Sequence, residues 1–97
     1  MSDFFPVDLA GGVKYLTTSI TSDQVAAGNV ANVVVPVPSD ATKIHAIIPC
    51  GISANNTWTG VTGILIRGVI LNERKIFFQS FGTSNQTYVI TYTIIYE

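Results

Sequence analysis

Thr87-Tyr88-Val89-Ile90-Thr91-Tyr92-Thr93-Ile94-Ile95-Tyr96 is the stretch whose reading decides the fold. Side chains alternate across an extended chain, so Tyr88, Ile90, Tyr92, Ile94 and Tyr96 share one unbroken aromatic and β-branched face. Thr87, Val89, Thr91, Thr93 and Ile95 share the other. At roughly 3.3 Å per residue these ten positions span about 33 Å, longer than most strands of globular proteins. A solid core face with a half-apolar back predicts burial by the chain's own domain on one side and by a partner on the other. Val89 and Ile95 are then the expected self-association positions.

Composition points the same way. The 97 residues fit one domain with one core. Hydrophobic residues make up 47% and charged residues only 11%, against a usual charged fraction of about 25%. With a net charge of -1, little opposes association, because net and interspersed charge are what keep a surface apart from its copies. Five Lys and Arg cannot lay a basic stripe over phosphates, so no nucleic acid is expected. No run of 18 apolar residues exists for membrane insertion. The first 20 residues show no basic leader followed by an apolar run, so no secretory signal is expected. The single cysteine, Cys50, lies in the apolar run Ile47-Ile48-Pro49-Cys50 and is read as a small buried hydrophobe.

Working back to the start, residues 1–12 read as an extended N-terminal arm and 13–97 as the domain proper. Phe4, Phe5, Val7 and Leu9 fit no sustained helix or strand pattern, and Pro6 interrupts them. Their apolar surface is costly if left in water. They either fold back on the domain or dock on a neighbour as an attachment device, with Gly11-Gly12 as the joint. Val13–Ile20 is a first strand. Val30–Val37 is a second, with Ala31, Val33, Val35 and Val37 on one face. Pro36 and Pro38 make it an edge strand or end it in a bulge. Lys43–Ile48, Val61–Leu71, Lys75–Phe81 and the terminal strand follow, Gly63 and Gly68 weakening or bending the fourth. Asn72-Glu73-Arg74 is a hairpin turn. Only Asp23–Gly28 offers a turn of helical spacing. The fold expected is all-β, an antiparallel β-sandwich of jelly-roll-like type with about seven strands.

No residue set carries catalysis. A nucleophile needs a base, and the only histidine, His45, precedes Cys50 by five positions, which a regular strand sends to opposite faces. The acids Asp3, Asp8, Asp23, Asp40, Glu73 and Glu97 are scattered, with no spacing for acid–base work or a metal. No enzyme, cofactor or metal is therefore expected. The loop carrying Asn55, Asn56 and Trp58 is the one candidate for receptor contact. Amide groups beside an indole suit a sugar such as a host surface glycan, while the bland alternative is that Trp58 caps the core.

Val25-Ala26-Ala27-Gly28 leading into the valine-rich strand, Ile44–Ile48 followed by an Asn and Thr loop, Ile76-Phe77-Phe78, and Thr83-Ser84-Asn85-Gln86-Thr87 opening the last strand form a pattern over residues 20–97. This pattern resembles the small β-sandwich virion proteins of tailed bacteriophages, of the fibre-head or capsid and tail decoration type. The resemblance implies a homotrimer, contacts with other virion proteins, residence in the virion and no enzymatic motif. The expected function is a structural component of a phage particle. The alternative is a carbohydrate- or receptor-binding module using the Asn55–Trp58 loop.

Overall fold

The computed structural model describes residues 7–8, 10–26, 28–54, 64–81 and 86–97. Within them the chain forms strands β1 (Val7–Asp8), β2 (Lys14–Thr21), β3 (Val30–Val34), β4 (Ile44–Ala54), β5 (Ile64–Ile70), β6 (Lys75–Ser80) and β7 (Tyr88–Tyr96). The alternating face of β7 is the centre of the core. Tyr88, Ile90, Tyr92, Ile94 and Tyr96 are all buried, and every intervening residue from Val89 to Ile95 is half-buried. Fully burying one such side chain contributes roughly 1.5–3 kcal/mol.

β7 is flanked by β2 and β4 in a four-stranded antiparallel sheet of order β1-β2-β7-β4. The second sheet has the order β3-β6-β5, also antiparallel. Its inner face brings Val33, Val35, Ile76 and Phe78 against the β7 face in one hydrophobic cluster. Phe78 meets Tyr88 edge-on with ring centroids 5.6 Å apart, a favoured aromatic geometry. The winding is that of a folded double ribbon: β2 pairs β7 in one sheet, β3 pairs β6 in the other, and β4 and β5 close the two sheets. The molecule is thus an antiparallel β-sandwich wound in the jelly-roll manner.

Several places depart from the expected boundaries, for physical reasons. β4 runs on past Pro49 to Ala54 instead of ending at Ile48. Among the described residues it is an edge strand, pairing only with β7, so the missing N–H of Pro49 can face away from the ladder. β-bulges between Ile44 and Ala46 and between Pro49 and Gly51 absorb the remaining irregularity. The second bulge also lifts Cys50 out of alternation and leaves it exposed rather than buried. Its Sγ lies 3.3 Å from Thr93 Oγ1 and 3.4 Å from the Ile48 carbonyl. β3 is an edge strand as expected but ends at Val34, before its prolines, instead of at Val37, and Gly68 marks a bulge in β5. Asp23–Gly28 gives no helix among its described residues; instead Val25 bridges to Gln86 through paired backbone hydrogen bonds of 2.8 and 3.2 Å.

Candidate association surfaces

Each sheet has an outer face that its own domain leaves partly uncovered. On the four-stranded sheet the register sets Ile95 between Tyr15 of β2 and Ala46 of β4, with Ile48 next along. Ile48 is 47% exposed, so this end of the face is apolar. Val89 lies at the other end, between Thr21 and Ser53. Six residue steps of extended chain separate Val89 from Ile95, about 20 Å. Thr91 and Thr93 fill the interval, and Thr93 shares a 2.8 Å hydrogen bond with Thr17. The structure therefore places both positions on the expected face, half-buried, without bringing them into one patch.

The outer face of the three-stranded sheet is more apolar. Val30 and Val34 of β3 and Leu65 of β5 are each about half exposed, Ile70 is 38% exposed, and Phe77 of β6 lies half-buried between the edge strands. Phe81 continues the row beyond β6 and is also exposed. Together these side chains present on the order of 400 Å² of apolar surface, interrupted by Asn32, Lys75 and Gln79, which the register sets on the same face. The bulge at Arg67 and Gly68 opens a shallow groove on this face, lined also by Val30, Ile70 and Phe77. Sequence reasoning did not single these residues out. The signal was present in Val33-Val34-Val35, Ile64-Leu65-Ile66 and Phe77-Phe78, where an unbroken apolar run takes the place of alternation. A strand half exposed to water would carry polar residues at Val34, Leu65 and Phe77.

Charges are sparse and mostly matched. Lys14 contacts Asp40 at 3.0 Å, which ties the β3–β4 crossover to β2, and Lys75 contacts Glu73 at 3.2 Å. The hydrogen bond from Lys14 holds the Asp40 carboxyl below its usual value. His45 lies 3.4 Å from Glu97 at the end of the four-stranded sheet. Arg67 and Asp23 enter no ion pair among the described residues.

Of the expected attachment arm, Val7 falls in β1, where the backbone of residues 7–8 pairs with Tyr15 and Lys14 of the chain's own β2. Gly11 and Gly12, at φ of 76° and 80°, make the turn between β1 and β2 in a region that side chains disfavour. For Val7–Asp8 this is the fold-back alternative. Phe4, Phe5 and Leu9 lie outside the described residues, as do Asn55, Asn56 and Trp58 of the expected receptor loop. No protein-family model matches the chain, and neither a curated protein nor a solved structure matches it.

Proposed function

We propose that the chain is a structural component of a bacteriophage virion, a capsid decoration or fibre-head protein that works by self-assembly and by docking on other virion proteins. The observation that carries this reading is the group of exposed apolar side chains (Val30, Val34, Leu65, Ile70 and Phe81) on and beside the outer face of the three-stranded sheet, on a chain with only 11% charged residues. A face of that size and composition in water favours association. A particle subunit meets that demand with neighbouring copies, arranged as a homotrimer. The Ile95 end of the four-stranded sheet offers a second, smaller apolar surface for self-association or for the underlying shell. The resemblance of residues 20–97 to small phage β-sandwich modules supports the same role.

Labelled antibody against the folded chain tests this on intact particles made in cells that express it. Under electron microscopy, regular decoration of capsid, tail or fibre ends is the expected result. Particles that assemble without the chain, and remain unlabelled, would contradict the proposal.

A further inference from the structure

We propose that the groove at Arg67 and Gly68 receives the N-terminal arm of a second copy of this chain, with Phe5 seated over Gly68 against Phe77 and Asp3 on the Arg67 guanidinium. The inference rests on the self-assembly reading above and names its contact.

The groove suits one ring and one carboxylate. Phe77 of β6 lies opposite Gly68 of β5, which has no side chain to cover it. A Cβ at Gly68 would meet no atom within 4 Å, so the space above it is open. Val30 and Ile70 line the same groove. Arg67 stands in it exposed and enters no ion pair among the described residues. Two polar residues of this face already have partners in their own chain. Lys75 contacts Glu73 at 3.2 Å, and Gln79 Nε2 donates to the Gly28 carbonyl at 3.2 Å. Asn32 lines a separate groove with Asp23 and Val34. An aromatic surface and one cation are what remain to be matched.

The arm supplies both. Residues 1–12 carry Asp3 and Asp8 and no Lys or Arg, whereas Arg67, Arg74 and Lys75 are three of the chain's five basic residues and all belong to the β5–β6 hairpin. A proline biases the residue before it toward extended backbone, and Pro6 follows Phe5. In an extended arm Asp3 and Phe5 share one side, about 7 Å apart, and Phe4 takes the other.

Length decides whose arm it is. Val7 is held beside Tyr15 in β1, at the rim of the four-stranded sheet. Phe5 stands two steps before it, a reach of about 7 Å. The groove is on the outer face of the other sheet, and packed sheets alone lie roughly 10 Å apart. An arm so anchored cannot reach its own groove, so the one that fills it comes from a neighbour. Arm in one place and groove in another make a heterologous contact, which passes from copy to copy and closes in the homotrimer.

Native mass of the full chain and its full-length variants, measured across a dilution series, tests the contact. Phe5→Ser, and Gly68→Trp, which fills the groove from open space, should each raise the concentration of half-dissociation at least tenfold with unchanged β circular dichroism. Phe4→Ser should move it less than Phe5→Ser. Asp3→Arg and Arg67→Asp should each weaken association, and the chain carrying both should recover to within about threefold of the wild type, the scale set by ~1.4 kcal/mol per decade. This exchange reads the same contact should Gly68→Trp disturb the bulge. Mixing shows that the contact runs between copies. Phe5→Ser keeps an intact groove and Gly68→Trp an intact arm, so at a concentration where each alone is a single chain the two together should pair one to one and go no further. Wild-type association that survives both Phe5→Ser and Arg67→Asp, or a mixture that stays single chains, would overturn the inference while leaving self-assembly in place. Loss of β circular dichroism in Phe5→Ser would put that ring in its own chain's core and would likewise overturn it. A wild type that stays a single chain to its solubility limit would overturn both.

Discussion

Tyr88 and Tyr96 are buried on the same face of β7, yet their hydroxyls differ in circumstance. Tyr88 is hydrogen-bonded to Ser80 across the sandwich, while the Tyr96 hydroxyl is buried without a hydrogen-bond partner among the described residues. Losing one member of a buried pair costs about 1–3 kcal/mol, whereas removing a group that had no partner is close to neutral or stabilising. Tyr88→Phe should therefore lower stability to urea by roughly 1–2 kcal/mol, and Tyr96→Phe should leave it equal or higher. Tyr92 adds a dependence on pH. Burial raises its pKa above 10.0, because the core disfavours the phenolate. The unfolded chain then releases this proton at a lower pH than the native one. The stability is fully present below about pH 10 and falls as the pH rises from there toward the native value. Melting temperature followed from pH 8 to 11 should drop more steeply for the wild type than for Tyr92→Phe.

At the scale of elements, the β5–β6 hairpin carries a local cost. Leu71–Glu73 form a 3-10 turn that ends on Arg74 in the left-handed region, at φ 56° and ψ 41°. Glycine takes that conformation without a Cβ clash. Arg74→Gly should raise stability by about 0.5–1 kcal/mol, read as a small upward shift in melting temperature. The arm gives a second test. Its only described pairing with the domain is the two-residue β1, so deleting residues 2–10 should lower stability by less than about 2 kcal/mol while abolishing incorporation into particles. A loss of several kcal/mol would make the arm part of the core. These elements also show what could be read from the sequence. The β7 face was legible because a period of two ran unbroken through nine residues, and the end of β3 because Pro36 and Pro38 cannot continue a ladder. The extent of β4 was not, since Pro49 is tolerated only by virtue of an edge position that the local sequence does not encode. Cys50 was misplaced for the same reason, a bulge being invisible to alternation. The face of Val34, Leu65 and Phe77 escaped because an apolar run reads as a strand buried on both sides, and which side lacks its own cover depends on sheet order.

For the whole molecule, the charges, the two sheets and the outer faces fit one account. The core stacks the β7 ladder against the second sheet, and what remains apolar outside is gathered mainly on the three-stranded face. The central claim is that this face is covered by copies of the chain and that the particle role follows from it. Sedimentation equilibrium of the full wild-type chain tests that claim most directly. Across a hundredfold range of loading concentration, the mass should move from one chain at the dilute end to three at the other, and no further. A single-chain mass at every concentration, with the protein still soluble, would show that water covers this face and would contradict the account.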